Sequence, residues 1–157
     1  MATSDGDGWI ECSCGAKHWG LHGAAGVLIV DPSIPSVLMQ HRAEWTHGGA
    51  TWGIPGGARD SHETAVQAAL RELFEEWGVS ETLLEIVHDE VWTDHGDWSY
   101  HTVIATPARK FDVTHNAESQ EARWVALDEV RNLDLHPGFA AHWDQVELTI
   151  AGLLKSL

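Results

Sequence analysis

Apolar and polar positions alternate along the chain with periods that predict a mixed α/β order. From His22 to Asp31 the run His-Gly-Ala-Ala-Gly-Val-Leu-Ile-Val-Asp is almost continuously apolar, as expected of a buried strand. The turn Pro32 to Pro35 separates it from a second strand, Ser36 to Arg42. A long loop, Ala43 to Glu63, follows. Further on, Leu83 to Thr93 and Trp98 to Thr106 read as two strands joined around His95-Gly96-Asp97. Ala122 to Val125 reads as a short strand and Asp128 to Asn132 as a short helix. Phe139 to Leu154 reads as a longer amphipathic helix, with Trp143, Val146, Ile150, Leu153 and Leu154 on its apolar stripe.

Between the long loop and the hairpin the period becomes helical. Thr64 and Gln67 fit a capping box, which makes Thr64 the N-cap. Good helix formers run from Ala65 onward. Val66, Ala69 or Leu70, Leu73 and Trp77 form a core-facing stripe, and Gly78 stops the helix. The polar side carries Glu72, Glu75 and Glu76. They stand at i, i+3 and i+4, so they share a face. Like charges at this spacing repel, and the C-terminal half of a helix disfavours negative charge. A bound cation explains the arrangement, and carboxylate oxygens suit Mg²⁺ or Mn²⁺. Arg71 and Glu75 are i,i+4 and can pair. Just upstream, Trp52-Gly53-Ile54-Pro55-Gly56-Gly57 makes an irregular loop whose glycines let backbone amides approach a ligand.

Composition narrows the functional classes. A chain of 157 residues with 43% hydrophobic content suits one globular domain. It holds no apolar run long enough to span a bilayer. The acidic, Gly-rich N-terminus lacks the basic and apolar regions of a signal peptide, so the cytoplasm is the expected compartment. A net charge of -15 disfavours binding to a nucleic-acid polymer, yet admits a nucleotide where metal ions mask a local acidic site. The nine Trp residues suit core and pocket walls, with one or two available to stack on a base.

The segment Gly57 to Val79 resembles the Nudix box, G-x5-E-x7-R-E-U-x-E-E-x-G-U with U a bulky aliphatic residue. Gly57, Glu63, Arg71, Glu72, Leu73, Glu75, Glu76, Gly78 and Val79 meet every fixed or restricted position. The resemblance implies an α/β fold: an α/β/α sandwich around a mixed β-sheet, spanning residues 21–157, after an N-terminal extension at 1–20. It also implies hydrolysis of a nucleoside diphosphate linked to another group. By family position Glu72, Glu75 and Glu76 would be metal ligands, with Glu72 and Glu76 in the catalytic set and Gly57 adding a backbone ligand. Gly56 and Gly57 would offer backbone groups to metal or phosphates. Arg71 would orient a glutamate, while Glu63 and Gly78 would support the motif.

Other assignments stay open at this level. A Glu shortly before a Trp-Val strand reaches the metal site in some relatives. Glu121, with Glu118 just before it, is therefore a candidate general base; its alternative is a surface carboxylate paired with Arg123. Arg42 is a candidate phosphate contact or an ordinary strand-end charge. The family's proline marker for ADP-ribose hydrolases is missing, with His95 in its neighbourhood, and Tyr100 stands late for the dinucleoside polyphosphate marker. These absences favour the MutT-like group, acting on (deoxy)nucleoside triphosphates, including modified ones. Nucleotide sugars, dinucleoside polyphosphates, isomerase chemistry on an isoprenoid diphosphate and non-catalytic nucleotide sensing are the alternatives. Trp45, His47, Trp52 and Trp98 are candidate substrate-loop residues. Oligomeric state is open, a homodimer included. Finally, Cys12 and Cys14 with His18 and His22 could hold a structural Zn²⁺, against the alternative of reduced thiols in a loop.

Overall fold

In the computed structural model, residues 5–43, 49–111, 113 and 119–156 are described. The chain opens with a small antiparallel hairpin, β1 (Trp9–Glu11) and β2 (Lys17–Trp19). Strands β3 (Ala24–Asp31), β4 (Ser36–Arg42), β5 (Trp52–Gly53) and β6 (Gly56–Ala58) precede helix α1 (Ala65–Trp77). A 3₁₀ turn, Glu81–Leu83, leads into β7 (Leu84–Asp94) and β8 (Ser99–Pro107). Strand β9 (Ser119–Ala126), a second 3₁₀ turn at Leu127–Asn132, α2 (Pro137–Ala140) and α3 (Trp143–Leu154) complete it.

The main sheet runs β5-β4-β3-β8-β7, with β6 added to β3 and β9 to β4. The β3–β8 pairing is parallel and the other pairings are antiparallel, so the sheet is mixed. Its central strand β3 is buried on both faces because it feeds two cores. Ala25, Val27 and Ile29 pack toward Ala68, Ala69, Leu73 and Trp77 of α1. Leu28 and Val30 join the opposite layer, with Trp143, Val146 and Ile150 of α3. The period-2 alternation of one strand thus holds a helix on each side, which is the expected sandwich.

Helix α1 follows its local signals. The Thr64 side chain accepts from the Gln67 backbone at 3.1 Å, and Gln67 accepts from the Thr64 amide at 2.9 Å. Gly78 closes the helix in the left-handed region at φ 68°. Ala69 is the buried stripe residue, and Leu70 is half-buried.

Residues 9–19, for which the pattern predicts no element, carry the β1–β2 strand pair. Three readings of the pattern are corrected. The long loop contains β5 and β6. The short helix at Asp128–Asn132 is a 3₁₀ turn starting at Leu127. The C-terminal helix is broken: Ala141 and His142 separate α2 from α3, with His142 outside helical geometry at φ -121° and ψ 3°. The break leaves Phe139 and Trp143 packed against the same core, ring centroids 5.4 Å apart.

Candidate active site

Arg71 is the hub of the acidic helix. Its guanidinium fork grips Glu63 twice, Nε to Oε2 at 2.7 Å and Nη2 to Oε1 at 2.9 Å. Nη2 also donates to the Ala58 carbonyl at 3.0 Å, while Nη1 donates to Glu72 at 3.0 Å and lies 3.3 Å from Glu75. One side chain therefore ties the loop before α1 to two of the three clustered glutamates. Such planar, forked recognition is what guanidinium provides and ammonium does not. Glu63 is held below its usual range by these Arg71 bonds. Asp60, which the sequence did not single out, stands 3.7 Å from Arg71 and accepts from the Gly6 amide at 3.0 Å.

The three glutamates differ in setting. Glu75 is 55% exposed. Glu76 is 5% exposed and accepts from the Gly56 amide at 3.0 Å. Glu72 lies against Gly57, where a Cβ would come within 2.5 Å of its carboxyl carbon and would push the carboxylate aside. Gly56 and Gly57 sit on β6, paired with Gly26 and Ala25 of β3. Their carriage as strand residues, not free loop, fixes the distance between backbone and carboxylates.

Burial pushes the Glu72 carboxyl up to about 7; Arg71 opposes this, and Glu75 and Asp7 add to it. Between the ordinary value of 4.5 and about 7, the folded chain keeps a proton that the unfolded chain has lost. Stability of metal-free protein therefore falls as pH rises through that window, by on the order of 2–3 kcal/mol from this group. Denaturant midpoints in chelator at about pH 5 and about pH 8 check it, because a large part of the difference should vanish in Glu72→Gln. An unchanged pH profile in that variant would refute the assignment.

Tyr100 of β8 is a site residue that the sequence offered only as a substrate marker. Its hydroxyl packs beneath Gly26 and Gly56. Burial shifts its ionisation to higher pH, Glu76 shifts it further, and Arg42 partly offsets this. Arg42 thus acts electrostatically on the same ground as Glu76 and Glu72, from the end of β4. The parallel pairing of β3 with β8 brings Tyr100 there, and nothing local in the sequence signals such a pairing.

Other candidates have partners of their own. Glu121 lies opposite His41 in the β4–β9 register and accepts from Arg123 at 3.0 Å, the surface pairing named as its alternative. Trp52 is 7% exposed, stacked on His41 at 4.5 Å with the Arg123 guanidinium 4.7 Å from its ring. Trp98 stacks on His18 at 4.3 Å rather than standing free for a base. Trp45, His47 and Glu118 lie outside the described residues.

Two sets of metal-capable side chains converge to within 4.8 Å among the described residues. Asp60, His62 and Glu63 form one, but its carboxylates are already engaged by Arg71 and Gly6. Cys12, Cys14, His18 and His95 form the other. His22 is not in that set; it is exposed, and its carbonyl accepts from Arg59 at 3.1 Å. Its place is taken by a residue remote in sequence.

A mixed sheet between helices, with a glycine strand held against an acidic helix, defines a class, and comparison with known proteins agrees. The NUDIX domain family model matches residues 20–146, and the chain belongs to that family of hydrolases. It is 51% identical over 154 residues to a provisionally named 8-oxo-dGTP diphosphatase 3 of Mycobacterium tuberculosis, covering 93% of this chain and 71% of that protein. It is 42% identical to a nucleoside triphosphate pyrophosphatase/Nudix hydrolase fusion protein of Bifidobacterium longum, covering 90% of this chain and 32% of the fusion. Among solved structures, a Nudix hydrolase from M. smegmatis superposes with a TM-score of 0.87 at 45% identity, over 94% of this chain and 96% of the other.

Proposed function

We propose that the protein is a divalent-cation-dependent pyrophosphohydrolase of free nucleoside triphosphates, with an oxidised purine deoxynucleotide such as 8-oxo-dGTP as its preferred substrate. The reaction adds water across a phosphoanhydride, giving a nucleoside monophosphate and diphosphate. The observation that carries the reading is the pair Glu72 and Glu76, two carboxylates withdrawn from water on one helix face and held against the Gly56–Gly57 strand. The substrate class rests on the name of the M. tuberculosis relative.

The donor set fits a hard cation. Glu72, Glu75 and Glu76 offer oxygen only, and Glu72 is raised toward neutrality by burial, a cost that a cation would offset. These three, with the Gly57 backbone, are the groups that would hold Mg²⁺ or Mn²⁺. Such ions, when bound, neutralise diphosphate charge and make bound water more acidic. The chain's own residues do the rest. Arg71 locks Glu72 and the loop at Glu63 into one geometry. Arg42 supplies positive charge toward the phosphates beside Tyr100. Proton removal from water is assigned to the helix carboxylates rather than to Glu121, which Arg123 engages.

Among the described residues no helix is long and apolar enough to cross a membrane. The charge of -15 supports a small-molecule substrate rather than a nucleic-acid polymer. The deciding experiment is turnover on a panel of 8-oxo-dGTP, the ordinary deoxynucleoside triphosphates, a dinucleoside polyphosphate and ADP-ribose, each with Mg²⁺ and with chelator. The expected outcome is metal-dependent diphosphate release with the highest kcat/KM on 8-oxo-dGTP. Preference for another panel member would overturn the substrate, and nucleotide binding without turnover would overturn the reaction in favour of a sensor.

A further inference from the structure

We infer that Cys12, Cys14, His18 and His95 form a structural Zn²⁺ site that pins the N-terminal hairpin to the β7–β8 turn. The Cys12 Sγ lies 3.4 Å from His95 Nδ1, and the Cys14 Sγ lies 3.1 Å from His18 Nε2. All four ligand atoms fall within 4.8 Å of one another. Tetrahedral Zn²⁺, with bonds of about 2.3 Å to sulfur and about 2.0 Å to nitrogen, separates its ligand atoms by roughly 3.3–3.8 Å. The observed spacing is close to what a single ion imposes.

The backbone is arranged as a ligand turn. Cys12 donates its amide to Ala16 and accepts from Gly15, both at 3.0 Å, with Gly15 at φ 94°. The Cys14 amide points at the Cys12 sulfur at 3.5 Å, a donor placed to stabilise a thiolate. The far side is equally fixed. The His95 amide donates to the Trp98 carbonyl at 2.9 Å, closing the turn between β7 and β8, and Asp97 accepts from the Ser13 amide at 2.7 Å. Trp98 stacks on His18 at 4.3 Å and donates to the Trp19 carbonyl at 3.2 Å, so the histidine ring is held in place.

Two thiolates and two neutral imidazoles balance the charge of Zn²⁺ and fill its four positions. No position is left for water or substrate, which marks a structural rather than a catalytic ion. The set shares no residue with the acidic box. Its consequence is positional: the same N-terminal segment continues to the box loop, where Gly6 donates to Asp60 and Ser61 donates to Asp5 at 2.8 Å.

The test uses full-length, tag-free protein incubated with ZnCl₂, desalted, and measured for bound metal. About one zinc per chain is expected, falling below about a tenth in Cys12→Ser/Cys14→Ser and in His95→Gln, and unchanged in His22→Gln and Glu76→Gln. Co²⁺ loaded into the wild-type chain should show thiolate charge-transfer bands and the strong visible absorption of a tetrahedral ion, a readout that needs no variant to fold. No retained zinc and no such spectrum would overturn the site. Zinc lost in His22→Gln but kept in His95→Gln would overturn this ligand set.

Discussion

Replacing Glu76 with Gln should lower nucleotide turnover by on the order of 10³-fold, equivalent to about 4 kcal/mol of transition-state stabilisation, and leave the fold intact. Glu76 is 5% exposed, and its oxygen accepts from the Gly56 amide at 3.0 Å. Glutamine has the same shape and keeps an acceptor for that amide, so the β6 strand stays in place. What it loses is the charge. In these water-poor surroundings a bound cation would offset the desolvation of that charge. The variant should therefore lose the stabilisation that Mg²⁺ gives the wild type. Steady-state kinetics and melting curves with and without Mg²⁺ check both halves. Activity within tenfold of wild type would remove Glu76 from the reaction.

The parts of the fold legible in the sequence were those fixed by neighbours in the chain. Helix α1 follows from Thr64, Gln67 and Gly78, three residues that act within one turn of its ends. Strand β4 matches its predicted bounds at Ser36 and Arg42 because Pro35 and the long loop delimit it. Strands β5 and β6 were not legible. Two or three residues hold too little alternation to read, and these strands exist because β4 and β3 supply their hydrogen bonds. The same holds for the N-terminal hairpin, whose strands are three residues each.

The candidate site divides in the same way. The spacing of Glu72, Glu75 and Glu76 puts them on one face by helical geometry alone, and the Arg71–Glu75 proximity follows from it. The fork from Arg71 to Glu63 spans the loop–helix junction, so periodicity carries no signal for it; the family motif supplied Glu63 without its partner. Tyr100 and Asp60 needed the parallel β3–β8 pairing and the path of the N-terminal segment. For the sulfur–imidazole cluster, closeness in sequence favoured His22. The β7–β8 turn instead delivers His95, a residue more than eighty positions from Cys12.

Arg71→Ala should be the most damaging single change to the fold around the box, costing about 3–5 kcal/mol in denaturant unfolding. The reason lies in what it strands. Glu63, with a side chain only 9% exposed, loses both arms of the guanidinium fork and keeps one backbone donor, the Asp60 amide. Glu72 loses the Arg71 charge that opposes its desolvation, so it holds its proton to higher pH. Ala58 loses the donor to its carbonyl. Arg71→Lys should recover only a minor part, since a point charge cannot reach Glu63, Glu72 and Ala58 together. The discriminating measurement is a double-mutant cycle with Glu63→Gln. If the fork is the source of the cost, removing the carboxylate charge in the Arg71→Ala background should cost less than in the wild type by about 2 kcal/mol. Additivity within about 0.5 kcal/mol would mean that the two side chains act independently. Arg71 would then be only a surface cation beside the acidic helix, and the rigid link between loop and glutamates would have to come from the Gly56–Glu76 bond alone.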